Sequence, residues 1–165
     1  MRRCGVHSST HEPDGYACPF CLIQQGAFDE RNQPSDIVAV TERAYARIAP
    51  KWWPANPGAV LVIPRVHVEN IYDLPVEDGE AVWDLTRQVA IAIRSTYRCT
   101  GTSLRQHNEP DGDQDVWHLH MHIFPRYADD RLYQRHKDAA WVPPSAREPY
   151  AVQLRQALGL GSSFR

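Results

Sequence analysis

The chain lacks any apolar run approaching the roughly 20 residues that cross a bilayer, so we expect no membrane-spanning helix. No apolar segment follows the two arginines after Met1 either, so no secretory signal is expected and a cytoplasmic location is the default. The formal net charge is only −2, which argues against the broad basic surface that binds DNA or RNA. The net charge is compatible with binding of a phosphorylated small molecule, because one pocket can be basic on a mildly acidic surface.

Without an export signal, the four cysteines of the chain do not predict disulfides. Cys18-x-x-Cys21 has the spacing of a zinc knuckle, and Cys4-x-x-His7 would complete a four-ligand set close in sequence. A redox role of the pair lacks the βαβ pattern that usually surrounds one. Two ordinary thiols remain an alternative, and Cys99 is most simply a small buried apolar residue.

The remaining pattern predicts one domain of the α+β class, an antiparallel sheet with a long helix packed on one face. The helix is expected from an N-cap at Asp73 to about Tyr97, with Gly101 stopping it and an apolar stripe along one side. A short helix is predicted over 149–158 near the C-terminus. Alternation and turn signals predict strands over 37–40, 44–49, 59–63, 103–106 and 116–124. We divide the chain into an N-terminal arm (1–16), a main domain (17–145) and a C-terminal helix and tail (146–165).

The predicted strand 116–124 carries three histidines at alternate positions, His118, His120 and His122. Side chains of a strand alternate between its faces, so the three imidazoles are expected on one face. Trp117, Leu119, Met121 and Ile123 are then expected on the other face, toward the helix. Three histidines can form a metal site. At alternate positions of one flat strand, however, they span too great a distance for all three to bind one ion easily. The alternative is nucleophilic catalysis, in which a neutral imidazole attacks phosphorus and its neighbours hold the transferring group.

The motif His118-Leu-His120-Met-His122-Ile-Phe124 resembles that of the histidine triad (HIT) family. The flanking residues are similar as well: Gln114-Asp-Val-Trp117, Pro125-Arg-Tyr127, the segment from Pro57 to His67, and Cys18-Pro-Phe-Cys21. The resemblance implies a HIT-like antiparallel sheet with one long helix and short helices near both termini. It also implies a homodimer without a catalytic cofactor, and a nucleotide-type small-molecule substrate.

The resemblance further implies a hydrolase that cleaves a nucleoside phosphate anhydride or phosphoramidate. His120 would attack the α-phosphorus and form a nucleotidyl-histidine that water resolves, and His122 would contact the transferring phosphate. Asn108 and Gln114 would touch phosphate oxygens, and His118 is the remaining member of the triad. Two alternatives remain: a nucleotidyltransferase to an acceptor other than water, and a nucleotide-binding protein with weakened catalysis.

A structural zinc is implied by the same resemblance, because some bacterial members bind one with equivalent residues. Carried over, the ligands are Cys18, Cys21, His67 and His118, and this set is preferred to the one containing Cys4 and His7. It would divert His118 from the chemistry and leave His120 and His122 free.

Three positions depart from the family pattern. Ala59 stands where many relatives have histidine, and Lys51 stands where many have an acidic residue that grips the ribose hydroxyls. Asp115 replaces a serine or threonine. A carboxylate near the phosphate repels an anionic substrate unless a cation or histidine pairs with it, and Lys51 cannot accept hydrogen bonds from hydroxyls. The base and the leaving group of the substrate therefore stay open.

Overall fold

The structure is a computed structural model that describes residues 10–164, with the backbone alone at residue 136. It has three helices: α1 (Pro19–Gln24), α2 (Val76–Thr96) and α3 (Pro144–Leu158). The strands are β1 (Ile37–Val40), β2 (Ala44–Ile48), β3 (Lys51–Trp52), β4 (Val60–Pro64), β5 (Gly101–Gln106), β6 (Met121–Arg126) and β7 (Ala140–Trp141). No helix of this part of the chain is long and apolar enough to span a membrane.

Five strands form one antiparallel sheet in the order β1-β2-β4-β6-β5, and β3 pairs with β7 in a separate ribbon. The long helix α2 packs on one face of the large sheet. The prediction of an α+β fold with one long helix on an antiparallel sheet, and shorter helices toward both ends, is confirmed.

Helix α2 buries the stripe that its apolar periodicity predicts, with Val82, Leu85, Val89 and Ile93 all at most 4% exposed. The predicted N-cap at Asp73 is wrong, because Pro75 caps α2 while residues 71–73 form a separate 3₁₀ turn. The helix also ends before Gly101. Its C-cap is Tyr97, the next residue turns the chain with a positive φ of 55°, and Gly101 already belongs to β5.

Strand β6 begins at Met121, five residues later than the pattern predicts. The preceding segment bends: the amide of His118 donates to the carbonyl of Val116 (2.8 Å), and the amide of Leu119 donates to the carbonyl of Val68 (2.7 Å). These bonds replace a regular sheet ladder and turn His118 away from the strand. Trp117 does not face the helix as predicted, since its ring stacks on His11 at 5.3 Å.

Helix α3 begins at Pro144, five residues before the predicted start, and packs against α2 and β1. Asp36, Arg47 and Arg147 join it to the sheet, and all three are at most 1% exposed. The guanidinium of Arg147 donates to both oxygens of Asp36 (2.8 and 2.9 Å), and Arg47 donates to one of them (3.2 Å). The division into arm, domain and tail stays a prediction, and most of the arm lies outside the described residues.

Candidate active site and metal centre

His120 and His122 meet at the start of β6, with ring centroids 4.8 Å apart. Phe20 of α1 covers this end of the sheet and meets the rings of His118 and His120 edge-on at 5.6 and 5.2 Å. His120 is only 4% exposed, and burial lowers its pKa because the charged form loses hydration. The sheet therefore presents His120 as a neutral imidazole.

The free nitrogen of His120 follows from its hydrogen bond. Nδ1 lies 2.8 Å from the backbone carbonyl oxygen of His118, which can only accept. Nδ1 must then carry the proton, and a neutral ring keeps its lone pair on Nε2. A neutral imidazole with one nitrogen held by a carbonyl and the other unprotonated is a nucleophile in a fixed orientation.

His122 lies between an aromatic ring and a further histidine. Its ring is parallel to Phe124 at 5.7 Å, and the ring of His107 meets it edge-on at 5.6 Å. The pKa of His122 is well below the usual histidine value because of burial first, and then because of the nearby His120, His107 and Arg105. The site therefore contains a second neutral imidazole beside His120.

A separate cluster lies next to this pair, formed by Cys18, Cys21, His67 and His118. One donor atom from each residue lies within 4.8 Å of the others. Nδ1 of His118 is 3.3 Å from the Sγ atom of Cys18 and 3.7 Å from that of Cys21, and Nδ1 of His67 is 3.2 Å from Cys21. His67 is 46 positions from Cys21 and His118 is 100 positions from Cys18, so the fold brings the two histidines to the cysteine pair.

The outer nitrogens of both histidines are already occupied. Nε2 of His67 lies 2.5 Å from a carboxylate oxygen of Glu12, and Nε2 of His118 donates to the carbonyl of Pro64 at 3.0 Å. Such partners fix the tautomer that directs Nδ1 at a metal ion. Burial lowers the pKa of His118 to about 4 and raises the pKa of Cys21 to about 12, the latter with help from Cys18. Two imidazoles and two cysteines with their donor atoms within 4.8 Å of one another fit Zn²⁺, which offsets the cost of thiolate formation.

The predicted phosphate contacts, Asn108 and Gln114, lie in the loop between β5 and β6. The amide nitrogen of Gln114 donates to the carbonyls of Glu69 (2.6 Å) and Val116 (3.0 Å), and its oxygen accepts from the amide of Glu109 (2.7 Å). The oxygen of Asn108 accepts from the amide of Ile71 at 2.8 Å. Both side chains hold the loop in shape here, and their contact with phosphate stays a prediction.

The three positions that depart from the family pattern lie in different parts of the fold. Ala59 is buried at 1% exposure, and Lys51 is exposed on β3. Asp115 is exposed, and its negative charge partly offsets the lowering of the pKa of His120. The alternative metal ligands Cys4 and His7 lie outside the described residues.

Three site residues were missing from the sequence prediction: Glu12, Arg105 and His107. Glu12 reaches His67 across 55 positions, and no local pattern signals that contact. Arg105 and His107 are at alternate positions of a predicted strand and its extension, next to a strand already assigned to catalysis. Pairing those two strands in antiparallel register would have identified both residues.

A family model described as HIT domain matches residues 30–129, more than half of the chain. The chain belongs to the HIT family. Protein hit of Bacillus subtilis (strain 168) is 37% identical over 70 residues, which is 42% of this chain and 48% of that protein. The chain thus matches about half the length of this relative. A bis(5'-adenosyl)-triphosphatase of Dictyostelium discoideum is 29% identical over 92 residues, 56% of this chain and 60% of that protein.

Solved structures of HIT proteins share the fold. A HIT-like protein from Bartonella henselae has a TM-score of 0.72 and 25% identity, and the match covers 87% of this chain and 99% of that one. A zinc-bound histidine triad protein from Mycobacterium smegmatis has a TM-score of 0.70 and 24% identity, over 87% of this chain and 94% of that one.

Proposed function

We propose that this protein hydrolyses a nucleoside phosphate anhydride or phosphoramidate through a nucleotidyl-histidine intermediate on His120. The observation that carries the proposal is the hydrogen bond from Nδ1 of His120 to the carbonyl of His118, which leaves Nε2 as the free nucleophilic nitrogen. The name of the Dictyostelium relative, a bis(5'-adenosyl)-triphosphatase, supports this class of substrate.

The chemistry needs two displacements at the α-phosphorus. In the first, Nε2 of His120 forms a bond to phosphorus while the bond to the leaving group breaks, and the electron pair of that bond departs with the leaving group. The imidazole then carries a positive charge, which the carbonyl of His118 stabilises through the Nδ1–H hydrogen bond. In the second displacement, water attacks phosphorus, releases the nucleotide and loses its proton, and His120 returns to its neutral form.

His122 is the residue next to the nucleophile, and its ring is 4.8 Å from that of His120. A neutral imidazole donates one hydrogen bond without a proton having first to be taken from solvent. It therefore contacts the transferring phosphate in our account. His118 stays outside the chemical step, because its two ring nitrogens face the cysteines and the carbonyl of Pro64.

We also propose that Cys18, Cys21, His67 and His118 hold a structural zinc ion. The inward Nδ1 atoms and the bonded Nε2 atoms support this assignment, and so does the zinc-bound protein from M. smegmatis that shares the fold. A closed set of four ligands contributes folding energy and leaves no position for substrate. The ion would connect α1 to the segment that precedes β6.

The proposal is tested by turnover of a dinucleoside triphosphate and a nucleoside phosphoramidate. His120→Asn is the sharpest variant, because its amide retains a donor near the carbonyl of His118 but has no equivalent of Nε2. We expect kcat to fall by at least about 10⁴-fold, as for other nucleophile deletions. His11→Ala removes an imidazole outside the site and should stay close to wild type. Undiminished turnover by His120→Asn contradicts the mechanism, and product formed on an added alcohol rather than water favours the transferase.

A further inference from the structure

Arg105 lies beside the catalytic pair on the same face of the sheet. In the register of β5 and β6, Arg105 is directly opposite His122. Residues directly opposite each other in an antiparallel pair project to the same side, with Cβ atoms about 4.5–5.5 Å apart. The guanidinium therefore extends from the strand next to His122, on the surface that carries His120.

The guanidinium of Arg105 has no carboxylate partner among residues 10–164. Three other arginines are paired with carboxylates: Arg47 and Arg147 with Asp36, and Arg126 with Asp130 at 2.7 Å. Arg105 also donates no hydrogen bond to any described side chain or carbonyl, although it is half-buried. Arg65 and Arg155 are also half-buried without a carboxylate partner, but both donate to backbone carbonyls. Arg105 differs because no described acceptor takes its N–H groups, and it faces the catalytic site.

Two aromatic rings hold this side chain in place. Its Cζ atom lies 5.9 Å from the ring centroids of Phe124 and Tyr133. Cation–π contacts of this kind orient a guanidinium without using its N–H donors. Phe124 also stacks on His122 at 5.7 Å, so one ring positions both residues. Arg105 is therefore held in orientation while its donors remain available.

The positive charge of Arg105 helps to lower the pKa of His122. Burial, His120 and His107 are the larger causes of that lowering. A bound anion would remove this repulsion. The site thus has two histidines, His120 and His122, where the nucleotidyl group would be transferred. The unpaired guanidinium of Arg105 lies beside them on the neighbouring strand β5.

We propose that Arg105 binds the departing phosphate of the substrate, so that the site selects phosphate anhydrides over phosphoramidates. The proposal rests on the proposed function and names its substrate class. When an anhydride is cleaved, the P–O bond breaks and its electron pair leaves on a phosphate oxygen, so negative charge grows on the leaving group. When a phosphoramidate is cleaved, the P–N electron pair leaves on nitrogen, which takes up a proton and departs as an amine without negative charge.

A guanidinium at the leaving group therefore stabilises the transition state of one reaction and not of the other. Its planar fork can hold two phosphate oxygens at once, which the ammonium of lysine cannot do. This gives Arg105 a role in specificity, distinct from the positioning of the histidines.

The test compares Arg105→Gln and Arg105→Lys with wild type on two substrates with the same nucleoside, a dinucleoside triphosphate and a phosphoramidate of a neutral amine. A hydrogen-bonded charge contact corresponds to roughly a 10- to 100-fold change, so we expect that loss of kcat/KM for the triphosphate in Arg105→Gln. The kcat/KM for the phosphoramidate should change by less than about threefold. Arg105→Lys should have a kcat/KM for the triphosphate between those of wild type and Arg105→Gln. Equal losses on both substrates, or none on the triphosphate, would overturn the proposal.

The matched control is Arg98→Asn, which removes a positive charge from an exposed turn. Arg98 has a positive φ of 55°, a conformation that asparagine tolerates well. Neither substrate should be affected by this change. If the control lowers triphosphate turnover as much as Arg105→Gln does, net charge and not a contact explains the effect, and the proposal is wrong.

A binding measurement separates this proposal from the proposed function. Calorimetric titration with inorganic pyrophosphate, on wild type, Arg105→Gln and Arg98→Asn, needs no turnover. If the wild type hydrolyses no nucleotidyl compound, the proposed function fails, while an affinity for pyrophosphate that drops about tenfold only in Arg105→Gln still supports the anion site. Equal pyrophosphate affinity in all three proteins overturns the Arg105 site whatever the turnover.

Discussion

His118 takes part in two hydrogen-bond systems at once. Its ring faces Cys18 and Cys21 with Nδ1, and its backbone carbonyl accepts from Nδ1 of His120. The residue that completes the Cys/His cluster therefore also sets the tautomer of His120. Movement of its backbone would change which nitrogen of His120 is free, so the cluster and the active site are mechanically connected.

Loss of one thiol tests the metal cluster directly. Cys18→Ser removes a thiolate ligand of Zn²⁺. We expect the zinc content of the purified protein to fall from about one ion per chain to well below one. Elemental analysis measures the zinc, and thermal unfolding with and without chelator measures its contribution to stability. Cys99→Ala is the matched control, because Cys99 is buried in the core outside the cluster. Full zinc content in Cys18→Ser would contradict the assignment.

The titration of His122 predicts a pH effect on stability. Burial lowers the pKa of His122 in the folded protein, whereas the unfolded chain has a value near 6.5. The folded state then binds fewer protons than the unfolded state below that pH, so the free energy of unfolding falls as pH falls from about 6.5. His122→Asn cannot titrate, and we expect its free energy of unfolding to decrease less between pH 7 and pH 5. Equal slopes in denaturant titrations at each pH would refute this.

The histidines of the triad could be located from sequence because their motif is local, and the catalytic role of His120 and His122 stays a prediction. The contacts around the site were not predicted, because they come from segments outside the motif. Glu12 reaches the ring of His67 from the N-terminal arm, and Arg105 comes from the neighbouring strand. No sequence pattern separates a site contact of Glu12 from a solvated surface, whereas Arg105 could have been found by pairing β5 with β6 in antiparallel register.

At the scale of elements, hydrophobic alternation predicted β6 but misplaced its start. Alternation from Val116 to Phe124 reports which side chains are apolar, but not whether the backbone finds a partner strand. The amide of Leu119 bonds to the carbonyl of Val68 instead, and the chain bends at His118. The apolar stripe of α2 was predicted correctly because burial against a sheet requires it. Asp73 was wrongly predicted as the N-cap of α2, because it ends a separate 3₁₀ turn.

The turn before β4 depends on a residue without a side chain. Gly58 has a φ of +78°, and a Cβ atom there would clash with the ring of Tyr150 of α3 and lie 2.8 Å from the ring of Tyr97. Gly58→Ala is therefore expected to destabilise the protein by about 2–4 kcal/mol, the sum of backbone strain and overpacking. The measurement is chemical unfolding.

Gly26→Ala gives the control for backbone strain alone. Gly26 has a nearly identical φ of +79° with no atom within 4 Å of the added Cβ. Gly26→Ala should lower the free energy of unfolding by only about 1 kcal/mol. If both variants lose the same stability, close packing at Gly58 contributes nothing and the account of this turn fails.

On the scale of the whole molecule, the buried Asp36 is a point where three parts of the chain meet. It precedes β1, and it binds Arg47 of β2 and Arg147 of α3. An uncompensated buried charge is costly, so these residues are expected to fix the position of α3 on the sheet. The sequence contained no sign of this cluster, because its members are separated by up to 111 positions.

The homodimer that the family resemblance implies stays a prediction, and the structure offers a surface for it. The α2–β5 surface contains Trp83 (58% exposed), Ile91 (56%) and Leu104 (38%), next to β5 at the edge of the sheet. Exposed apolar side chains beside an unpaired strand edge are typical of a protein interface. We propose that a second copy of the chain covers this surface.

Ile91→Glu tests that interface, since a buried carboxylate without a partner opposes association. Sedimentation velocity at micromolar concentration should give a dimer for wild type and a monomer for Ile91→Glu. Val76→Glu is the matched control, because Val76 is 71% exposed at the first turn of α2 and does not line the surface. A monomeric wild type, or dissociation by both variants, would contradict the prediction.

The central claim is that His120 carries the nucleotidyl group, and trapping that adduct tests it most directly. The protein is mixed with a dinucleoside triphosphate labelled at the α-phosphorus, quenched in alkali within one turnover, digested and analysed by mass spectrometry. The account predicts one labelled peptide with the nucleotide on His120, lost on further incubation and absent in His120→Asn. Turnover without any adduct, or an adduct on His118 or His122 instead, would contradict it.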